Sequence, residues 1–259
     1  MPTAIIRDVS DTLGECELSW IERAPIDVAR ARRQHGAYRE ALERCGCRVV
    51  ALAAEHALPD AVFVEDIALV LDEIAILTRP GAPSRRPESA SIADALSRHR
   101  TLHAIDAPGT IDGGDVLRIG RTIHVGESAR TNAAGIAAFE AIVAPLGYRV
   151  KPVRVRRCLH LKSAVTEVGD GLVLIDPDWI DRAAFEEYER IEIDPAETHA
   201  ANGLFVGGRV IYPLSFPRTR QRLADAGVET VVVDVSELQK AEGAVTCCSL
   251  VFRDGPGAS

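Results

Sequence analysis

The sequence predicts an α/β protein built as a closed, pseudo-fivefold ring, with helices outside and strands around a central channel. Three observations predict it. β-Hairpin patterns recur about every 40–50 residues. Each is followed by a helical pattern and then a short β-rich run. No Pro- or Ser-rich linker divides the 259 residues, so the chain reads as a single domain over 1–259. Periodicity alone leaves an open mixed α/β sheet as the alternative.

The elements follow in order. Thr3–Arg7 is a β-run whose partner is the run Ser249–Phe252 from the other end of the sequence. Asp27–Arg44 carries Val28, Ala31, His35, Tyr38, Ala41 and Leu42 at near-helical spacing, and Gly46 caps its end. Arg48–Leu52 is the strand after it. The hairpin Val62–Thr78 turns at Asp72-Glu73 and leads to a helix at Glu88–Ser97 and a strand at Thr101–Ile105. Val116–Val125 turns at Gly120-Arg121 and leads to Asn132–Ala144 and Arg149–Val153. Ser163–Ile175 turns at Gly169-Asp170-Gly171 and leads to a helix at Trp179–Tyr188 and a strand at Arg190–Ile193. Gly203–Tyr212 uses Gly207-Gly208 for the positive φ of a tight turn, then leads to Pro217–Ala226 and Thr230–Val235. The tail Asp254–Ser259 is expected to fray.

Composition narrows the function classes. With 47% hydrophobic and 26% charged residues the chain reads as globular. A net charge of -8 argues against nucleic acid, since no basic face offsets the phosphates. Apolar runs long enough to span a membrane are absent, and the N-terminus reads as no signal peptide, so a cytoplasmic protein is expected. The six cysteines are too few and irregular for a disulfide framework, and free thiols are expected.

Several segments carry candidate chemistry. Asp60, Glu65 and Asp66 crowd the mouth of an apolar strand, where carboxylates are costly unless a cation neutralises them. Strand alternation would put Asp60 and Asp66 on one side and Glu65 across from them. Arg85 stands in a Pro-bounded loop suited to gripping a carboxylate, and Arg130 precedes a helix. Asp112 and Asp115 flank Gly113-Gly114, where the backbone can approach another group closely. His160 sits among apolar neighbours at a strand start, and Cys247 at a turn-to-strand junction suits a thiolate nucleophile. Each segment also has a bland reading, as loop charge, acidic turn cap, core histidine or buried cysteine. Together they set a thiol, a histidine, carboxylates and two arginines at the edges of separate repeats. A ring would gather those edges at one end of its channel. Carboxylates would then hold a guanidinium and arginines a carboxylate, which fits an arginine-like amino acid.

The segments LPDAVFVED, LTRPGAPSRRPE, IDGGDVL, VGESARTN, LHLKSAVT and EGAVTCCSL occur in that order. Over about Leu18 to Phe252 the chain resembles the dimethylarginine dimethylaminohydrolases of the pentein superfamily. The resemblance implies a five-bladed α/β propeller that hydrolyses Nω-methylated arginines to citrulline through a covalent S-alkylthiouronium. It implies Cys247 as nucleophile with Cys248 a nonessential neighbour, His160 as general acid and then base, and Asp112 as the carboxylate orienting it. Glu65 and Asp66 are implied to bind the guanidinium, Arg85 and Arg130 the α-carboxylate. Asp60 and the carbonyls of Leu18 and Ala241 are implied for the α-amine, with Glu242 assisting near the guanidinium. Lys162, two residues after His160, stands where arginine deiminases carry an aspartate, which points away from plain arginine. The resemblance requires no cofactor or metal, and its partner is the small guanidino substrate; the sequence leaves a homodimer open.

Overall fold

The computed structural model describes residues 1–253, so the tail Asp254–Ser259 lies outside the described residues. Five three-stranded sheets of one pattern form the ring, each with a middle strand antiparallel to the first and parallel to the third. In the first, Leu250–Arg253 pairs antiparallel with Pro2–Arg7, which pairs parallel with Arg48–Leu52. The others are Ala68–Val70, Ile74–Leu77 and Thr101–Ala104; Val116–Ile119, Thr122–Glu127 and Arg149–Arg154; Val165–Gly169, Leu172–Ile175 and Glu189–Glu192; and Leu204–Val206, Arg209–Pro213 and Thr230–Val233.

Helices make four of the five crossovers. Val28–Arg44 starts at Asp27, whose carboxylate accepts from the Arg30 amide at 2.9 Å, and stops at Gly46 with φ +85°. Ser89–Ser97, Ala133–Val143 and Pro217–Asp225 cross in the second, third and fifth sheets. The fourth departs from expectation. The helix expected over Trp179–Tyr188 is a single 3-10 turn, Arg182–Phe185, started by the Asp181 carboxylate on the Ala183 amide. Phe185 is fully buried and stacks on His124 at 4.5 Å, while the Tyr188 hydroxyl meets His124 Nε2 at 3.0 Å. Anchoring two aromatics of so short a connection on a neighbouring sheet overrides the local helical pattern.

The first strand of every sheet lines the channel. A cavity of about 530 Å³ is walled by Ala68–Leu71, Val116–Arg118, Thr166, Gly203–Phe205 and Leu250-Val251, which come from all five sheets. That contribution closes the ring and excludes the open sheet. The segment just before each inner strand therefore arrives at the same end of the channel.

Candidate active site

Glu65 and Asp66 lie in the 3-10 turn Val64–Ile67 that precedes an inner strand. The alternation expected for them does not hold, because this turn is not extended backbone, and both carboxylates are buried. Each is held by a cation. Glu65 Oε1 accepts from Lys162 Nζ at 2.6 Å, and Oε2 accepts from the Thr246 hydroxyl at 2.8 Å. Asp66 Oδ2 accepts from Arg85 Nη1 at 2.5 Å, and Oδ1 accepts from the Gly114 amide at 2.9 Å. Burial pushes the Glu65 carboxyl up, partly offset by Lys162. For Asp66 the same burial is outweighed by His160 and Arg85, which hold it below its ordinary value.

Asp112 leads into the 3-10 turn Gly113–Asp115 before the third sheet's inner strand. It is fully buried; Oδ1 accepts from the Gly81 amide at 2.8 Å and Oδ2 lies 3.0 Å from His160 Nε2. The glycine pair is required by close approach. A Cβ on Gly113 would stand 1.9 Å from the Glu65 carbonyl oxygen, and one on Gly114 would stand 2.6 Å from His160 Nδ1.

His160 precedes a one-turn helix, Leu161–Ala164, rather than opening the strand itself, which begins at Val165. With Nε2 on Asp112, Nδ1 faces Asp66 Oδ1 at 3.9 Å. Burial lowers the imidazole, but Asp66, the Asp112 hydrogen bond and Asp115 outweigh it and raise His160 to about 9. Cys247 precedes the inner strand Leu250–Arg253 and is half-buried, with its carbonyl accepting from the Glu65 amide at 3.1 Å. Burial, then the charges of Glu65 and Asp66, push its thiol up to about 12. Cys248 is fully buried, and its thiol is raised further by burial.

Two lobes meet at Cys247 and His160. The polar lobe is walled by Asp60, Arg85, Arg130, Asp112 and Ala241, and its free volume of about 20 Å³ has room for about one water. Leu18 is not on its wall; its side chain packs on the core beside Glu17, which is. Asp60 is buried and accepts from the Glu17 amide at 3.0 Å, its carboxyl raised by burial. Arg130 Nη2 donates to the Ser19 hydroxyl at 2.8 Å. Glu242, at φ +58°, serves the loop over the site: its carboxylate accepts from the amides of Ser19, Trp20 and Ile21 at 3.0, 2.5 and 2.9 Å. The resemblance implies it near the guanidinium; it does line the space beside Cys247, with its carboxylate taken up by three N–H groups of the loop.

Arg85 also differs from expectation in what it has left to give. Nε and Nη2 donate to Glu88 at 3.0 and 2.8 Å, Nη2 also faces the Phe63 carbonyl at 2.9 Å, and Nη1 donates to Asp66. Of five guanidinium N–H groups, one on Nη1 remains, too few for a bidentate grip on a carboxylate. Arg85→Ala would strand Glu88 as a buried carboxylate without its cation and leave Asp66 only His160 and the Gly114 amide, a cost of ~3–5 kcal/mol. The expected outcome is a fall in Tm of roughly 10 °C, measured by thermal denaturation; a fall under 2 °C would contradict this structural reading.

Other contributors were not singled out as functional. Asp115 is fully buried and accepts from the Leu161 amide at 2.9 Å and from the Ser128 and Thr131 hydroxyls at 2.6 Å each, which fixes the backbone beside His160. Burial raises its carboxyl to about 6. Asn202 ties the Lys162 carbonyl to the Thr246 hydroxyl, both at 3.0 Å. Asp115 had a sequence signal in the Asp-Gly-Gly-Asp run; Asn202 and Glu88 had none. Asp66, Asp112 and His160 come nearest to a metal-ligand set among the described residues. Their ligand atoms are committed to Arg85, to the Gly81 amide and to each other.

Comparison with known proteins bears on the family and the fold. The family described as "N,N dimethylarginine dimethylhydrolase, eukaryotic" matches residues 14–202. An N(G),N(G)-dimethylarginine dimethylaminohydrolase of Streptomyces coelicolor is 42% identical over 97% of this chain and 97% of its own length. That of Pseudomonas aeruginosa is 39% identical over 87% and 90%. A solved structure of a Pseudomonas aeruginosa enzyme of that name, a cysteine-to-serine mutant complexed with citrulline, superposes with TM-score 0.93 at 36% identity, covering 96% of this chain and 98% of that one. The N-terminal domain of ArgZ, at 21% identity, TM-score 0.87 and 98% and 99% coverage, shares the fold. The five-sheet ring with its site at one channel mouth is that of a pentein. Within that class, the chain belongs to the dimethylarginine dimethylaminohydrolase family.

Proposed function

We propose that the protein hydrolyses Nω-methylated L-arginines to L-citrulline and methylamine or dimethylamine. The observation that carries this reading is the meeting of Cys247 and His160 between a charged lobe and two buried carboxylates, Glu65 and Asp66. Cys247 Sγ attacks the guanidinium carbon. His160, held through Nε2 by Asp112, protonates the departing amine from Nδ1, and a thiouronium remains. The neutral imidazole then takes a proton from water as the oxygen adds. The C–S bond breaks, the adduct's hydroxyl gives its proton to solvent or to the released amine, citrulline leaves, and the thiolate–imidazolium pair returns. The substrate's α-carboxylate goes to Arg130, displacing Ser19, and its α-amine to Asp60 with the carbonyl of Ala241. Arg85 contributes its one remaining N–H. Among the described residues no helix is long and apolar enough to cross a membrane, and the six cysteines are free, which suits a reducing cytoplasm.

The test is citrulline release from asymmetric dimethylarginine, monomethylarginine and arginine side by side. Fast turnover of the methylated pair over arginine is expected; preference for arginine would move the assignment to a deiminase. Lys162 bears on this choice through its bond to Glu65, which spends that carboxylate's charge on a protein cation.

Two further outcomes follow. Near neutrality the free pair is thiol plus imidazolium, with values near 12 and 9, and attack needs one proton fewer. kcat/KM should therefore rise with unit slope in pH until about 9. A bound guanidinium favours the thiolate, so the kcat limb should lie at lower pH; coincident limbs in the pH–rate profiles would contradict substrate-assisted ionisation. Arg130→Ala should raise KM about 10–100-fold, the loss of a charge-assisted contact, and leave kcat within a few-fold. A kcat loss at constant KM in steady-state assays would remove Arg130 from the carboxylate.

A further inference from the structure

The second lobe at Cys247 differs in kind from the polar one. It shares Leu159, His160, Glu242, Gly243 and Cys247 with that lobe but holds about 260 Å³, and its outer wall comes from Trp20, Ile21, His199, Ser215 and Phe216. Of the charged groups that line it, Glu65 and Lys162 pair with each other and Glu242 is taken up by the amides of Ser19, Trp20 and Ile21, whereas Asp60, Arg85 and Arg130 face only the polar lobe. Charge therefore fixes the substrate's direction once Ser19 leaves Arg130 and the polar lobe opens: α-carboxylate and α-amine in the polar lobe, guanidinium at Cys247, and the Nω-substituent in the second lobe. A cavity of ~150 Å³ lined by apolar groups takes up a benzene ring. The second lobe is larger than that, its wall mixing Trp20, Ile21, Leu159 and Phe216 with polar groups such as Asn202 and Gln239, and two methyl groups leave much of it unfilled. Its roof is fixed: Trp20 and Ile21 are held by the Glu242 carboxylate through their amides, and Trp179 packs edge-on against His199 at 4.7 Å.

Resting on the amidine-hydrolase reading, we infer that the enzyme accepts arginines carrying Nω-substituents longer than methyl, such as linear alkyl chains of about four carbons or a benzyl group. The chemistry balances as for the methylated substrate. Cys247 Sγ bonds to the guanidinium carbon, the bond from that carbon to the substituted nitrogen breaks, and His160 supplies the proton. Water then completes citrulline, with one alkylamine released per citrulline.

Binding and turnover are measured separately, so that failure of this inference and failure of the hydrolase reading can be told apart. Calorimetry on Cys247→Ser with Nω-methyl-, Nω-butyl- and Nω-benzyl-arginine should show about tenfold tighter binding of the butyl than of the methyl compound, from apolar burial. Equal or weaker binding overturns the inference. The wild type should release butylamine and citrulline in equal amounts; turnover of methylarginine with none of the bound butyl compound also overturns it. No turnover of either, with tighter butyl binding retained, sinks the hydrolase reading and leaves the lobe assignment standing. Ser215→Trp, or Thr198→Phe on a separate loop should the first misfold, should lower the butyl-to-methyl affinity ratio at least tenfold. An unchanged ratio in a folded variant places the chain elsewhere and overturns the inference.

Discussion

Cys247→Ser is expected to lower kcat for asymmetric dimethylarginine by on the order of 10⁴–10⁶, as loss of a nucleophile does in a cooperating set, without unfolding the protein. A hydroxyl replaces a thiol at a half-buried position, so packing changes little. Chemistry changes greatly, because a serine hydroxyl beside Glu65 and Asp66 ionises far less readily than a thiol already held at about 12. Cys248→Ser is the matched control and should keep activity within several-fold. Its sulfur is fully buried and faces the Ala244 carbonyl at 3.5 Å. Citrulline assays on both variants, with acid-quenched intact mass of the wild type to trap the thiouronium, decide the matter. Retained turnover in Cys247→Ser would remove the covalent route, and its appearance in the wild type together with loss in Cys248→Ser would move the nucleophile by one residue.

Gly114→Ala is expected to cost about 100-fold in kcat while KM stays within a few-fold, because small displacements of reacting groups cost that much. The added methyl would stand 2.6 Å from His160 Nδ1 and 2.8 Å from Asp66 Oδ1, well inside contact distance. The imidazole cannot simply swing away, since Nε2 is tied to Asp112 at 3.0 Å and the ring is buried. Either the ring turns off the reacting carbon or the Gly114 amide leaves Asp66, and both disturb proton delivery. Gly36→Ala is the contrast. It lies inside the helix Val28–Arg44 with open space around its Cβ direction, so it should keep full activity and gain ~1 kcal/mol from helix propensity. Steady-state kinetics and thermal melts on both proteins make the comparison; a Gly114→Ala enzyme with wild-type kcat would show that His160 has slack.

Much of the ring was legible because its signals are local. Apolar runs broken by Gly120, Gly171 and Gly207, all at positive φ, announce hairpins whatever surrounds them. Asp27 and Gly46 likewise bound a helix by satisfying its own end groups. Trp179–Tyr188 was misread for the opposite reason, since the partner that drew Phe185 out of a helix, His124, lies on another sheet.

For the candidate site, residue types and their order pointed to segments that the ring brings together: Asp66, Asp112, His160 and Cys247 each stand before an inner strand, whereas Arg85 and Arg130 follow middle strands. Pairings were a different matter. That Arg85 is spent on Glu88 and Asp66, that Glu242 cages the amides of Ser19 to Ile21, and that Lys162 neutralises Glu65 are contacts between segments far apart in the chain. The sequence by itself determined the repeat, the caps and turns, and which thiol, imidazole and carboxylates stand at the edges of the repeats, since these depend on neighbours along the chain. Only the tertiary structure decided which charges cancel one another, how far the thiol and imidazole shift, and that one lobe is nearly closed while the other is roomy and of mixed lining. Those properties depend on burial and on distances of a few ångströms across the ring, where electrostatic energies are set by what is excluded from water.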